Sequence, residues 1–181
     1  CLAALLKIEN IETQVIDLEY ENRPESQAYK LCIDLGIMIE RFNMNKIPSS
    51  DWYVDGVFGI GLNRDLQGNY LRAVNYLQCS QSKKILSLDL PSGLDGSKGI
   101  IFHSAVKATA TITFLTLKPG LFIDKACDYT GVVYFDNLGM SKLGYKPDMK
   151  AISKETIHIS DISRSAHKGE RGSILCLGGS K

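Results

Sequence analysis

Two short segments constrain this chain more than anything else in it: Asp55-Gly-Val-Phe-Gly-Ile-Gly-Leu-Asn-Arg64 and Leu88-Asp-Leu-Pro-Ser-Gly-Leu-Asp95. Each belongs to an apolar run of strand character that stops at a Gly- or Pro-broken loop carrying an acid. Between them, Leu66 to Leu77 has helical spacing, with Leu71, Val74 and Leu77 on one face. Strand, helix and strand in that order make a βαβ unit with parallel strands and a right-handed crossover. Asp55, Asp89, Ser92 and a Gly-rich loop then lie along one edge of a parallel sheet, where open α/β sheets bind ligands.

The flanking sequence extends the pattern. Leu2, Leu5 and Leu6 mark a helix at the start, and Thr13 to Leu18 reads as a strand. Pro24 suits a helix first turn, followed at helical spacing by Ala28, Leu31, Cys32, Leu35 and Ile39. Trp52 to Phe58 is expected to be a strand buried on both faces, because its polar alternation is slight. Further strands are expected at 84–90, 108–114 and 131–135. The fold class is therefore α/β: a three-layer, Rossmann-like αβα arrangement with a mostly parallel sheet. Residues 139–153 lack periodicity and read as a linker, and Ser173 to Leu177 as a strand with no partner to follow. The absence of an initial Met and of a cap before the first helix suggests an internal fragment, truncated at both ends.

Composition excludes several classes. The net charge is +1, so no basic field points to nucleic acid. No apolar run approaches membrane-spanning length, and no secretory signal is visible. Five scattered cysteines without a C-x-x-C suggest reduced, mostly buried thiols in a cytoplasmic protein.

The chemistry sits in the two segments. Asp55 has apolar neighbours, and an ionised carboxylate buried there needs a cation or hydrogen-bond donors to compensate it. Capping of nearby N–H groups would serve equally. Gly59-Ile-Gly61 permits close backbone approach to a ligand, and the helix that follows has N–H groups for a phosphate. The dinucleotide fingerprint is incomplete, because Arg64 or Asp65 stands where its third glycine belongs. Arg64 is either a phosphate fork or a solvated charge. Asp89, at a strand's C-terminal end, suits general acid/base work, and the Pro-Ser-Gly turn aims Ser92 into the same space. Ser92 lacks the G-x-S-x-G setting of a hydrolase nucleophile, and no histidine is near it in sequence. Asp95 reads as a turn residue; Lys118-Pro-Gly120 either brings an ammonium near the ligand edge or is an ordinary surface turn, the reading that turn statistics favour. Tyr70 either stacks on a ligand ring or packs on the sheet. His103 and His158 have no ligand-like spacing.

Together with Thr111-Ile-Thr-Phe-Leu-Thr-Leu-Lys-Pro-Gly-Leu121, the two segments resemble the NAD(P)H-hydrate epimerase family, the YjeF N-terminal domain, over residues 1–140. After a linker at 141–163, Arg164 to Ser180 resembles the opening of the ADP/ATP-dependent NAD(P)H-hydrate dehydratase domain. The pair is similar to the bifunctional nicotinamide-nucleotide repair enzyme. The resemblance implies epimerisation of R and S hydrates of NADH and NADPH at the hydrated ring carbon, with dehydration of the S form coupled to a nucleotide phosphate. It implies that Asp55 and Ser92 help hold a potassium ion, and that Gly59, Ile60, Gly61, Leu62, Asn63, Arg64 and Asp65 contact substrate phosphates. It further implies that Tyr70 touches substrate and that Asp89 is the acid beside the reacting ring. The expected cofactors are potassium and, for the dehydratase half, ADP or ATP. The expected partners are a small-molecule substrate and further copies of the chain, not nucleic acid or membrane. The family's Asn-Asn-Gly-Gly-Asp segment is absent and is expected just before Cys1, and the dehydratase catalytic residues are expected beyond Lys181. The competing reading is a non-catalytic scaffold module on the same fold, since fold alone does not determine function. A generic Rossmann dehydrogenase is disfavoured by the incomplete fingerprint.

Overall fold

The structure, a computed structural model, describes residues 1–20, 26–79, 84–140 and 149–152. The chain divides into two compact units, Cys1–Gly144 and Tyr145–Lys181. The second contributes only residues 149–152 to the description, so the readings placed on 164–181 lie outside the described residues.

The first unit has α1 (Leu2–Ile8), β1 (Gln14–Asp17), α2 (Gln27–Asp34), β2 (Met38–Arg41), β3 (Trp52–Asp55) and α3 (Gly68–Gln78). It continues with β4 (Lys84–Leu88), β5 (Ala110–Phe114), the short α4 (Cys127–Thr130) and β6 (Val132–Asp136). β1 and β2 form one parallel pair, and β3-β4-β5-β6 form a four-stranded sheet with every neighbour parallel. This is the expected α/β class: parallel strands in sequence order, with α2 crossing from β1 to β2, α3 from β3 to β4 and α4 lying between β5 and β6, while β4 and β5 are joined without a helix.

Two hydrophobic clusters hold the sheet. In the first, α3 turns Val74 inward against Ile85, Val106, Leu62 and Leu66, with Tyr53, Phe58 and Leu71 packed around them. Leu62 and Leu66 thereby tie the segment after β3 to the core. The second cluster joins Leu90, Leu94, Leu121 and Ala126, with Val133 against it. Removing a buried side chain of this size typically costs about 2–5 kcal/mol, so both clusters fix the strand tips they flank. Among the described residues, no helix is long and apolar enough to cross a membrane.

Three expectations are corrected. The helix from Pro24 does not reach Ile39: Ser26 caps α2 by accepting from Tyr29 N at 3.2 Å, and the helix ends before Gly36, whose φ is +64°. Ile39 lies in β2, paired with Val15. β3 is not buried on both faces; Trp52 and Val54, two apart and so on one face, are exposed, while Tyr53 and Asp55 face inward. The cysteines are not mostly buried either. Cys32 is, but Cys1, Cys79 and Cys127 are exposed.

Candidate functional site

Register places the first part of the site. Asp55 ends β3 and lies beside Ser87 of β4 in the parallel ladder. Asp55 is only 1% exposed. Its Oδ2 accepts from Ser87 Oγ at 2.9 Å and from Ser92 N at 2.8 Å, while Oδ1 accepts from Ser92 Oγ at 2.5 Å and, at 3.5 Å, from Val57 N. Burial pushes the Asp55 carboxyl above its usual range, and the donors from Ser92, Ser87 and Val57 oppose that rise. Ser92 is held in turn because its Oγ accepts from Phe58 N at 3.0 Å. The turn that carries it needs Gly93: its φ is +100°, and a Cβ there would fall 2.0 Å from Ser104 O.

The second part of the site is Asp89. β4 ends at Leu88, and Asp89 leaves it with φ +70°, a left-handed conformation that Asp tolerates better than most residues. Leu115, at the matching tip of β5, has φ +64°, a strained value for a bulky side chain. The Asp89 side chain is 24% exposed. Its Oδ1 is paired with the Lys118 ammonium and lies 3.4 Å from both Thr113 Oγ1 and Phe114 N. Its Oδ2 faces Gly59, where a Cβ would sit 3.1 Å from that oxygen.

The glycine loop joins the two parts. Phe58 N donates to Ser92 Oγ and the next residue, Gly59, lies against Asp89 Oδ2, so two consecutive residues neighbour both acid clusters. Asp55, Ser92, Asp89 and the start of the loop are therefore brought together. Beyond Gly59 the loop opens outward: Ile60, Gly61, Asn63, Arg64 and Asp65 are exposed, and Leu62 is the buried anchor. α3 does not open directly from Gly61 but starts at Gly68, and its N-cap Gln67 makes no side-chain cap bond. Tyr70, in the first turn of α3, is half-buried, with its ring 4.8 Å from that of Phe58 and its hydroxyl on Glu19. Both ring face and hydroxyl are thus engaged beside the loop.

Asp95 is a turn residue, as expected: its Oδ1 accepts from Ser97 N and Lys98 N. The reading of Lys118 as a surface turn is wrong. Lys118 is buried, and besides Asp89 it donates to Thr113 Oγ1 at 3.0 Å and Phe114 O at 2.7 Å. Sequence reasoning also missed Ser87 and Thr113. The available signal was a lone serine in the apolar β4 and a pair of alternate threonines, Thr111 and Thr113, in β5.

The residues present suit a hard cation. Asp55 Oδ1 and Ser92 Oγ are adjacent oxygens, and each retains acceptor capacity after the bonds above. A buried carboxylate with a raised pKa gains from a positive neighbour. Among the described residues no three His, Cys, Asp or Glu side chains converge, so the donor set is oxygen from one acid and hydroxyls rather than a transition-metal cluster.

Residues 1–120 match the model of the family described as YjeF-related protein N-terminus. The bifunctional NAD(P)H-hydrate repair enzyme of Dictyoglomus turgidum is 34% identical over 137 residues, covering 70% of this chain and 26% of that protein. The bifunctional enzyme of Escherichia coli K12 is 30% identical over 185 residues, 98% of this chain and 36% of the enzyme. The NAD(P)H-hydrate epimerase of Levilactobacillus brevis is 29% identical over 142 residues, 77% of this chain and 65% of that protein. The chain thus spans only a part of the bifunctional relatives. The crystal structure of the yeast protein ynu0 superposes with a TM-score of 0.63 at 17% identity, over 81% of this chain and 68% of the yeast chain, a likeness of fold alone. With two thirds of its length matched by the family model and its strand tips arranged as described, the chain belongs to the YjeF-related protein N-terminus family.

Proposed function

We propose that this chain is the epimerase part of an NAD(P)H-hydrate repair protein, interconverting the R and S hydrates of NADH and NADPH. In the longer protein this activity is coupled to ADP- or ATP-dependent dehydration of the S form. One observation carries the reading: Asp89 presents to the glycine loop a carboxylate oxygen that no donor among the described residues reaches, and the same loop is pinned to the buried Asp55–Ser92 pair. Relatives that carry the names epimerase and repair enzyme support it.

Inversion at a hydrated carbon requires a bond to that carbon to break and re-form on the other face, with a proton moving off and back. A partly exposed carboxylate at a strand tip can carry that proton, and positioned groups of this kind contribute about 10²–10⁴-fold. The exposed backbone from Gly59 to Asp65, with Arg64, is open to the substrate's phosphates. Tyr70 and Phe58 form an aromatic wall beside it. Asp55 and Ser92 would hold a potassium ion, which supplies positive charge near the phosphate-binding loop. The binding-module alternative gives no reason for a carboxylate oxygen that no donor among the described residues reaches, set beside a glycine.

The test is direct. The full-length protein is given pure R hydrate of NADH, and S hydrate is followed by chromatography against the spontaneous rate. Formation of the S form well above background is expected. A rate equal to background, with the protein folded, would overturn the reading.

A further inference from the structure

We propose that Lys118 is a positioning residue for Asp89: it fixes the carboxylate through Oδ1 and so makes Oδ2 the oxygen that meets substrate. The inference rests on the epimerase reading and adds a residue to it.

Lys118 is buried where its Pro-Gly context predicted a surface turn. An ammonium group has three donors and no acceptor. All three are spent here, on Asp89 Oδ1, Thr113 Oγ1 and Phe114 O. Lys118 has no donor left for a phosphate or a ring oxygen, so direct substrate binding would cost it an existing bond in a buried place. Its partners are also unevenly disposed. Thr113 Oγ1 and Phe114 N lie near the same Asp89 oxygen as the ammonium does, so Oδ1 has three neighbours from the β5 tip. No donor among the described residues reaches Oδ2, whose close neighbour is Gly59.

That asymmetry has a function. Asp89 sits at the end of a strand on a left-handed residue, and an unrestrained carboxylate there would rotate about its last torsion and present either oxygen. Clamping one oxygen removes that freedom and aims the other. Gly59 has no side chain to crowd Oδ2, whereas a Cβ there would stand 3.1 Å from it. A purely structural ion pair would tie the β4 and β5 tips together without requiring this division of labour between the two oxygens.

The experiment uses the full-length protein, with kcat and KM for epimerisation measured in Lys118→Met, Lys118→Ala, Asp89→Asn and the double variant Lys118→Met/Asp89→Asn. Lys118→Met, which keeps the apolar stem, should lower kcat by about 10–100-fold, the loss typical of misplacing a reacting group by up to an ångström. KM should stay within about twofold. Methylammonium should restore at least part of the kcat of Lys118→Ala, while tetramethylammonium, which has no N–H donor, should not. In the Asp89→Asn background, adding Lys118→Met should change the residual rate less than about twofold, because the residue has nothing left to position.

A Lys118→Met protein with full kcat and only a lowered thermal midpoint would overturn the inference in favour of a structural pair. A raised KM with kcat intact would overturn it in favour of substrate contact. If Lys118 variants do not fold, Thr113→Val removes one acceptor of the same network and should lower kcat several-fold; unchanged kcat there overturns the inference equally. Full activity in Asp89→Asn would instead remove the epimerase reading of this site, an outcome distinct from failure at Lys118 alone.

Discussion

Replacing Gly59 by alanine would insert one methyl group between the glycine loop and the Asp89 carboxylate. An ideal Cβ at Gly59 lies 3.1 Å from Asp89 Oδ2, 3.8 Å from its Cβ and 3.9 Å from its Cγ, and these are its three nearest neighbours. The first distance is a few tenths of an ångström tighter than ordinary contact, so the carboxylate must turn or the loop must lift. The backbone itself accepts alanine, because Gly59 is not among the glycines with left-handed φ. Restricting the unfolded chain at a compatible site stabilises by about 0.4–1 kcal/mol, which roughly offsets the crowding. The thermal midpoint should therefore move by no more than about 2–4 °C, the shift that 1 kcal/mol gives a domain of this size. The chemistry should not be spared. A methyl group in front of the oxygen assigned to proton transfer should lower kcat about tenfold or more, since a 1 Å misplacement can cost about 10². Paired melting curves and R-to-S epimerisation rates on the full-length protein measure both quantities. Wild-type kcat in a normally stable Gly59→Ala protein would refute the claim that Oδ2 is the oxygen that meets substrate.

Other predictions follow from the same geometry. Asp55 has a carboxyl pKa raised by burial, so the folded protein binds its proton more tightly than the unfolded chain does. The resulting cost to stability is absent below the unfolded value of 3.8 and grows as pH rises through the folded value. In potassium-free choline buffer, the thermal midpoint of Asp55→Asn minus that of wild type should thus increase with pH; a flat or falling difference contradicts the stated cause. Potassium should raise the wild-type midpoint by mass action on the folded state, and Ser92→Ala or Asp55→Asn should abolish the response. A midpoint indifferent to potassium in wild type argues against the cation site without any activity assay. Gly93→Ala should cost more than about 3 kcal/mol, because its Cβ would overlap Ser104 O at 2.0 Å on a backbone with φ +100°. A soluble variant with an unshifted melting curve would show that the turn relaxes freely.

Much of the sheet is legible in the sequence, for local reasons. The runs ending at Asp55 and Leu88 are apolar, their stops are glycine and proline, and helical periodicity fills the interval, so the parallel β3–α3–β4 unit follows from pattern alone. β2 was not legible. Leu35 and Ile39 extend the helical spacing of α2, and what makes Met38–Arg41 a strand is its pairing with β1, a long-range fact. Gly36, with its left-handed φ, was the local stop signal that went unread. The same limit explains Lys118. Turn statistics place a Lys-Pro-Gly at the surface, while the acceptors that pay for its burial sit on Asp89, Thr113 and Phe114, and only the β4–β5 pairing brings them together. Ser87 was hidden for a related reason, since its importance comes from lying opposite Asp55 in register.

The central claim is that Asp89 carries the proton in epimerisation. Asparagine keeps its shape while removing the carboxylate that Lys118 holds and the loop faces. The rate of R-to-S conversion by the full-length Asp89→Asn protein, measured beside its melting curve, should fall by about 10²–10⁴-fold with the fold intact. A folded Asp89→Asn protein that interconverts the two hydrates within twofold of the wild-type rate would contradict the account at its base.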